Sequence, residues 1–262
     1  MRYKITLSYN GAPFCGWQKQ PSAPSVQETL ENALSVLTGE AVQVTGAGRT
    51  DTGVSAVGYV AHFDAQAKLD ESYIACKLNA ILPVSIAVSE IVAVAEDFHA
   101  RFDAKSRTYT YFLHRSKDPF AASWSYQFSY PDVDFDLMNK AAALLLGTHD
   151  FSCFQKVGSD NKTTVCTVFE AGWQPYTPPL PAWPSQPCLP TTGQESRQYW
   201  FFRISADRFL RNMVRAIVGT LLEVGRGKRS LDNFAKLLEG GSRSNSGESA
   251  PGHALFLSKI DY

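Results

Sequence analysis

The chain has 262 residues, 44% of them hydrophobic, and its 25 basic side chains balance 25 acidic ones. This composition excludes global disorder, and no apolar run is long enough to span a membrane. Five scattered cysteines without a C-x-x-C pair and five dispersed histidines indicate neither a disulfide framework nor a zinc site, so we expect a cytoplasmic protein with reduced thiols and no metal.

The first hundred residues predict a mixed α+β arrangement. Residues 3–9 alternate between apolar and polar types, which is typical of a strand. Ser25 and Glu28 form a capping-box pattern at the start of a helix that Gly39 ends. The further predicted elements are a strand at 42–45, a polar loop at 46–56, a strand through 59–63, a helix over 70–80 and an extended segment over 86–94.

The second part of the chain is also predicted to be mixed α+β, and no internal sequence repeat is visible. Its predicted elements are strand 108–114, helix 136–146, strands 166–173 and 198–204, a helix from about 208 to 224, helix 231–238 and strand 254–260. The Pro-rich segment 174–195 predicts a long surface insertion, because its composition cannot supply a core. The Gly- and Ser-rich segment 240–252 predicts a mobile or partner-ordered stretch.

Charge is segregated along the chain although the net charge is zero. Eight basic residues between Arg197 and Arg229 accompany only two acidic ones, and residues 101–117 hold five basic residues and one acidic residue. Segregated charge permits a basic surface that binds phosphates. An ordinary solvated surface is the alternative interpretation.

The segment with the most chemical information is 46–54, Gly-Ala-Gly-Arg-Thr-Asp-Thr-Gly-Val. Glycines permit a tight backbone with positive φ, so this loop is able to aim the carboxylate of Asp51 into a cleft. A turn in which Asp51 hydrogen-bonds its own backbone is the alternative. The spacing matches neither a phosphate-binding P-loop nor a dinucleotide-binding fingerprint.

This nonapeptide resembles the signature of the tRNA pseudouridine synthase A family, and four further segments match that family's motifs in order. They are Tyr9-Asn10-Gly11 with Phe14 and Gly16-Trp17-Gln18, then 25–28, then 98–102 with 107–111, then 209–215 with 218–219. The resemblance covers nearly the whole chain. Asn10 stands where the family usually has Asp, and Ala254 stands where it usually has Gly. These two departures bear on RNA docking more than on the chemistry.

The resemblance implies an α+β fold of two ferredoxin-like (RRM-like) halves with adjoining antiparallel sheets and a central basic active-site cleft. The halves would be residues 1–104, with the catalytic loop, and 105–262, with the insertion at about 174–195. The implied enzyme is a homodimer that isomerises uridine to pseudouridine in the tRNA anticodon stem-loop, at positions 38, 39 and 40. No cofactor is implied, because nothing is oxidised and no group is donated.

The resemblance assigns the chemistry to three residues. Asp51 is the catalytic nucleophile; it would attack C6 of the base or C1′ of the ribose, or abstract the 2′ proton, and the sequence does not choose among these. Arg215 would hold this carboxylate ionised. Tyr109 would stack on the flipped uracil, and its hydroxyl would handle the proton at C5. On the residues alone, a core aromatic and a solvated helical arginine are the alternatives for Tyr109 and Arg215.

RNA contacts are implied for a second group of residues. Arg49 would occupy the space left by the extruded nucleotide, and Leu255 would close the pocket, although core packing is an equal alternative for it. On the predicted helix, Arg208, Arg211 and Arg215 share one face, so Arg208 and Arg211 would meet phosphates. The remaining candidates are Trp17, Gln18, His99 and Arg101. Bracing the sheet is the alternative for Trp17 and His99.

Two other functions compete with this one. A non-catalytic RNA-binding module of the same fold would not need Asp51, Tyr109 and Arg215 together, and all three are present. A carboxylate glycosidase normally needs a paired acid and nucleophile, and the Asp51 motif holds one carboxylate.

Overall fold

The computed structural model describes residues 1–159, 161–178 and 198–262. It divides into two units, Met1–Arg107 with Phe256–Tyr262, and Thr108–Leu255. Both units contain helices and strands, so the chain is mixed α+β as expected. The division inferred from the sequence at 104/105 did not anticipate that the last seven residues return to the first unit. Among the described residues, no helix is both long and apolar enough to cross a bilayer.

The first unit is a sheet against which two helices pack. Its elements are β1 (Arg2–Tyr9), α1 (Val26–Thr38), β2 (Val44–Gly46), β3 (Ser55–Asp64), α2 (Glu71–Ile81), β4 (Ile86–Val94) and β10 (Leu255–Asp261). The strands lie in the order β4-β1-β3-β10, and β2 pairs with β3. The strand β10 runs parallel to β3, with Phe256 opposite Ser55, which explains why the C-terminal residues belong to this unit.

The core of this unit follows from the predicted alternation in β1. Tyr3, Ile5 and Leu7 are fully buried, so they mark the face of β1 that is turned to the core, while antiparallel β3 and β4 pair with its two edges. In β3 the alternation fails, since Val60 and His62 are buried along with Tyr59, Ala61 and Phe63. This strand is therefore covered on both faces.

The start of α1 confirms the Ser25 half of the predicted capping box. The Ser25 hydroxyl accepts a hydrogen bond from the backbone N–H of Glu28 at 3.2 Å, and Gly39 ends α1 in the left-handed region. Asp70 caps α2 in the same way, because its carboxylate accepts from the backbone N–H of Tyr73 at 3.0 Å. Side-chain acceptors at these positions satisfy backbone donors that the first turn leaves unpaired.

The described residues of the second unit form five strands and three α-helices. Its elements are β5 (Ser106–His114, entering the unit at Thr108), β6 (Tyr126–Gln127), α3 (Phe135–Ala143), β7 (Gly147–Asp150), β8 (Val165–Pro175), β9 (Tyr199–Ala206), α4 (Met213–Gly225) and α5 (Leu231–Lys236). The strands lie in the order β5-β9-β8-β7, and β6 pairs with β5 in parallel. The short strands β6 and β7 were not predicted.

The predicted helix from about residue 208 is wrong in its first turn. The helix α4 begins at Met213, and Asn212 just before it has φ 67°, which a helical residue cannot adopt. Arg208 and Arg211 therefore precede the helix, and the predicted face shared with Arg215 does not exist. The apolar periodicity that predicted the helix is real only from Met213 onward, where the side chains are buried.

The segment 240–252 makes hydrogen bonds within itself and to α4. The Arg243 guanidinium donates to the carbonyl of Gly247 at 2.8 Å and to the hydroxyl of Ser249 at 2.9 Å. The hydroxyl of Thr220 in α4 accepts from the backbone N–H of Gly247 at 2.9 Å. Of the predicted insertion at 174–195, only residues 174–178 are described, so that prediction otherwise lies outside the described residues.

Candidate active site

The loop that carries Asp51, residues 46–54, is held from the residue before the aspartate. Thr50 is buried; its hydroxyl hydrogen-bonds the Tyr9 hydroxyl at 2.9 Å, and its carbonyl accepts from the backbone N–H of Trp17 at 3.3 Å. After it, the carbonyl of Asp51 accepts from the backbone N–H of Val54 at 3.1 Å, which closes a turn. Asp51, which is partly exposed, therefore projects from a backbone fixed on both sides.

Close backbone approach makes one glycine of the N-terminal motif necessary. Gly16 has φ 95°, and a Cβ on it would lie 2.4 Å from the carbonyl oxygen of Thr50. A side chain at this position would push the Asp51 loop outward, because 2.4 Å is far inside van der Waals contact. The Gly-Trp-Gln motif thus supports the Asp51 loop sterically.

Trp17 and Tyr59 form an aromatic floor below this loop. Their ring centroids are 4.1 Å apart, and the hydroxyl of Tyr59 donates to the carbonyl of Gly48 in the loop. Trp17 is only 2% exposed. These contacts support the bracing interpretation of Trp17.

Arg49 and Gln18 meet at the surface beside Asp51. The Arg49 Nε donates to Oε1 of Gln18 at 3.2 Å, and Nε2 of Gln18 donates to Oε1 of Gln27 at 3.0 Å. Gln27 in turn donates to the backbone carbonyl of Val44 at 3.0 Å. A row of amide groups therefore orients the exposed guanidinium of Arg49, which lies next to the candidate nucleophile in the chain.

Arg107 connects the Asp51 loop to a second loop, a role that no sequence pattern indicates. Its Nη2 donates to the carbonyl of Ala47 at 2.9 Å and to the carbonyl of Arg101 at 2.6 Å, and its Nη1 donates to the carbonyl of Ala104 at 3.2 Å. A planar guanidinium with five donors suits such a junction of carbonyls. In the sequence, Arg107 opens the motif at 107–111 just before a predicted strand, and neither feature reveals these partners.

His99 and Arg101 lie in this second loop, residues 95–105, which we name the Phe102 loop. The Nδ1 of His99 accepts from the backbone N–H of Arg101 at 3.2 Å, so the imidazole holds the loop that contains it. Buried His62 packs against His99, with ring centroids 4.9 Å apart. Burial, and next the charge of Arg2, lower the pKa of His62 to about 4. His62 is therefore neutral at pH 7. The side chain of Arg101, in the same loop as His99, is exposed.

Tyr109 lies on β5 in the second unit. Its ring contacts the edge of Phe209, with centroids 5.0 Å apart and an angle of 86° between the planes. Tyr109 is partly exposed, whereas Tyr111, two residues on and therefore on the same face of the strand, is fully buried. This face of β5 therefore lies in the core at Tyr111 and reaches the surface at Tyr109.

Arg215 lies in the first turn of α4 and is tied to the segment after residue 240. Its Nε donates to the carbonyl of Ala250 at 2.7 Å, and the backbone N–H of Ala250 donates to the carbonyl of Arg215 at 3.0 Å. Burial raises the pKa of the neighbouring Tyr111 well above its usual value, and the charge of Arg215 partly opposes this rise. The guanidinium is therefore held at the edge of the core.

The other candidates of the second unit lie around these residues. The backbone N–H of Arg208 donates to the Asp207 carboxylate at 2.7 Å. Arg211 is exposed, and its backbone carbonyl accepts from the backbone N–H of Lys156 at 3.0 Å. Leu255 is 4% exposed at the start of β10. The first unit groups Trp17, Gln18, Arg49, Asp51, His99 and Arg101. The second unit groups Tyr109, Arg208, Arg211, Arg215 and Leu255.

Chemically, the Asp51 loop offers one carboxylate on a backbone held by hydrogen bonds, two residues after the oriented cation of Arg49. Such a group is able to act as a nucleophile or as a base. Within the part of the chain that the structure describes, no three His, Cys, Asp or Glu side chains are grouped to hold a metal ion.

Comparison with known proteins gives a consistent result. A sequence model of the family described as tRNA pseudouridine synthase matches residues 5–103 and 141–262. The tRNA pseudouridine synthase A of Porphyromonas gingivalis is 46% identical over 263 residues, which cover 100% of this chain and 97% of the relative. The protein of the same name from Bacteroides fragilis is 46% identical over 262 residues, covering 100% and 96%. That from Bacillus subtilis is 38% identical over 266 residues, covering 100% and 99%.

Proposed function

Since the chain belongs to the tRNA pseudouridine synthase family, we propose that it isomerises uridine in the tRNA anticodon stem-loop, at positions 38, 39 and 40. The reaction breaks the N-glycosidic bond, turns the base and rejoins it to the ribose through C5. It consumes no oxidant and transfers no external group, so the protein needs no cofactor. The observation that carries the proposal is the single carboxylate of Asp51, presented by a loop that buried Thr50 and its partner Tyr9 hold in place.

Asp51 starts the reaction. Its carboxylate adds to C6 of the base, attacks C1′ of the ribose, or removes the 2′ proton to give a glycal; each path frees the base so that it can rotate. A rigid loop favours all three, because a nucleophile held in place loses little freedom when the substrate binds. The oriented guanidinium of Arg49 lies beside it in the loop and is proposed to replace the extruded nucleotide and hold backbone phosphate.

Tyr109 and Arg215 have the supporting roles. After C5 has bonded to C1′, C5 must lose its proton. The Tyr109 hydroxyl is proposed to relay it, taking the C5 proton as it passes its own proton to solvent, with its ring stacked on the base. Arg215 is proposed to keep Asp51 ionised during the reaction. Its bond to Ala250 supports this role, because a fixed guanidinium need not reorient as charge develops. Leu255 would contact the base through its apolar side chain.

The finer architecture remains part of the proposal. We propose two ferredoxin-like halves, a basic cleft, a homodimer and a cytoplasmic location. The proposed RNA contacts are Gln18, His99, Arg101, Arg208 and Arg211. Trp17 is proposed to act indirectly, by supporting the Asp51 loop.

The test is incubation of the protein with uridine-labelled tRNA in the presence of a chelator, followed by nucleoside analysis and mapping of the modified positions. Pseudouridine without released base supports the proposal. Unchanged bound tRNA would favour a non-catalytic RNA-binding module, and free uracil would favour a glycosidase.

A further inference from the structure

Phe102 is an exposed aromatic side chain that none of the proposed catalytic roles uses. It lies in the Phe102 loop, and 73% of its surface is accessible. A single exposed apolar residue is ordinary on a protein surface. Phe102 differs from such a residue because an imidazole and a guanidinium lie against its ring.

The ring of Phe102 lies in a short stack of side chains. The imidazole of His99 packs against it, with centroids 4.2 Å apart and an angle of 33° between the planes. The guanidinium of Arg101 lies 5.6 Å from the ring centroid. The Nδ1 of His99 also accepts from the backbone N–H of Phe102 at 3.3 Å, so the residue is held through its backbone and its ring. The stack therefore presents an oriented aromatic surface with a cation beside it.

The loop beneath the stack is well anchored. The backbone N–H of Ala100 donates to Nδ1 of His62 at 3.1 Å, and the carboxylate of Asp103 accepts from the backbone N–H of His99 at 2.7 Å. The Arg107 guanidinium joins the carbonyls of Arg101 and Ala47, the second of which belongs to the Asp51 loop. Phe102 thus lies on a support that is continuous with the support of the candidate nucleophile.

The charge around the stack favours a nucleic acid over an apolar protein surface. Arg101 and Lys105 are exposed, and among the described residues neither has a carboxylate within 4.0 Å. The nearby carboxylate of Asp103 accepts the backbone N–H of His99 at 2.7 Å and forms no ion pair with either cation. An exposed aromatic ring beside cations is the combination that proteins use to stack unpaired bases and hold the adjoining phosphates.

We propose that Phe102 is a stacking platform for an unpaired base of the tRNA substrate, with Arg101 binding the adjacent phosphate. This inference rests on the proposed function and adds a residue that fixes where the RNA lies relative to the Asp51 loop. Because every base has a π-face, the contact tolerates any base at that position. It contributes to the positioning of the substrate and not to the bond-breaking step.

The first test compares Phe102→Ala, Phe102→Leu and Phe102→Trp in an Asp51→Asn background, by measuring affinity for an anticodon stem-loop RNA. Stacking on one base is worth about 1–3 kcal/mol, so Phe102→Ala should weaken binding by about 5- to 150-fold. Phe102→Leu keeps an apolar side chain without a π-face and should lose affinity similarly, whereas Phe102→Trp should bind like the parent. Phe169→Ala, which removes a ring that is 57% exposed on β8, is the matched control and should have no effect.

The second test identifies the base. An abasic nucleotide is placed at each unpaired position of the stem-loop in turn, and the affinity of the parent and the Phe102→Ala variant is compared. At the stacked position the two proteins should bind equally, because the partner of the ring is already missing. A Phe102→Ala variant that binds every RNA like the parent would overturn the inference.

Two controls distinguish stacking on RNA from a subunit contact and from a failure of the proposed function. If Phe102→Ala changes the sedimentation coefficient, and its binding defect disappears at protein concentrations that restore the parent's assembly, Phe102 is a subunit contact and the inference is wrong. The proposed function is tested apart from it, because wild-type protein that forms no pseudouridine would overturn the function whatever Phe102 does. Wild-type turnover with unimpaired binding by Phe102→Ala would overturn the stacking inference alone.

Discussion

At the scale of single residues, the contacts that hold the Asp51 loop are as informative as the loop itself. Asp51 and its flanking glycines were recognisable from the sequence. The Tyr9–Thr50 hydrogen bond and the three carbonyls around Arg107 were not, because their partners are distant in the chain and known only from the fold. The sequence therefore indicates the candidate nucleophile and does not reveal the contacts that hold its loop.

Asp51→Asn should abolish turnover and leave tRNA affinity within about threefold, because it keeps the shape of the side chain and removes the charge on which each proposed path depends. The measurements are single-turnover pseudouridine formation at saturating enzyme and equilibrium binding of the same tRNA. Retained turnover in carefully purified variant protein would contradict the role of Asp51.

Tyr109→Phe separates catalysis from packing, because the ring remains and only the hydroxyl is lost. If the hydroxyl takes the C5 proton, single-turnover formation should fall by about 10²- to 10⁴-fold. The melting temperature and the tRNA affinity should stay unchanged. A Phe variant that turns over at the wild-type rate would leave Tyr109 as a stacking surface for the base.

Arg107→Lys should lower the catalytic rate more than it raises KM. One ammonium cannot span the carbonyls of Ala47, Arg101 and Ala104, so the Asp51 loop should lose part of its support. We expect a decrease of about tenfold in kcat, since misplacement of a reacting group by about 1 Å can cost up to about 10²-fold. Lys105→Arg, a change of cation type on the same loop, is the control. Unchanged kcat in Arg107→Lys would show that the junction does not position Asp51.

At the scale of secondary structure, elements with a local cause were predictable. The helices α1 and α2 begin at side-chain caps and were predicted within about two residues. The start of α4 was missed because the residues from Arg208 onward are compatible with a helix, and the left-handed Asn212 becomes visible only in the fold. The strand β6 has two residues and is defined by its pairing with β5, so it is too short for an alternating sequence pattern to predict it.

The corrected start of α4 separates the roles of two arginines. Arg211→Ala should weaken tRNA binding and reduce its salt dependence, because Arg211 is exposed before the helix. A complex with one phosphate contact fewer releases fewer counterions when it forms. Arg215→Ala should mainly lower turnover, since Arg215 is held inside the fold by Ala250. Binding isotherms at several salt concentrations and single-turnover rates test both. The same pure binding defect in both variants would contradict this division.

The packing of α4 against the segment 240–252 depends on Gly219. A Cβ at this position would lie 1.7 Å from the carbonyl oxygen of Glu248, so Gly219→Ala must displace backbone. We expect a loss of about 1–3 kcal/mol in the free energy of unfolding, measured by denaturant titration. Gly48→Ala, where a Cβ would meet no atom within 4 Å, is the control and should unfold like the parent. Equal stability of both variants would show that the segment does not pack closely on α4.

At the scale of the whole molecule, the family and the mixed α+β character were predictable, because five motifs appear in register over the chain. The return of residues 256–262 to the first unit was not, since a parallel pairing between β10 and β3 leaves no local signal. Burial of His62 was also unpredictable from β3, where simple alternation would assign it to a surface face.

The burial of His62 should make stability depend on pH. Its pKa is about 4 in the folded protein and near 6.5 in the unfolded chain, so between these values the unfolded state binds more protons. Stability from this group is complete above about pH 6.5 and falls as the pH drops toward 4. In thermal melts across this range, His62→Gln, which keeps an acceptor for Ala100, should show a shallower slope. A slope equal to that of the wild type would contradict this role of His62.

The pairing of β10 with β3 also imposes an order on synthesis. Residue 256 leaves the ribosome about 200 residues after residue 55, which at ordinary elongation rates takes roughly 10–40 s. Throughout that interval the newborn first unit carries an unfinished edge along the start of β3, while the whole of the second unit emerges and is free to fold. An unpaired edge of this kind invites pairing with other nascent chains. The sheet of the first unit is therefore completed only after the second unit has been synthesised.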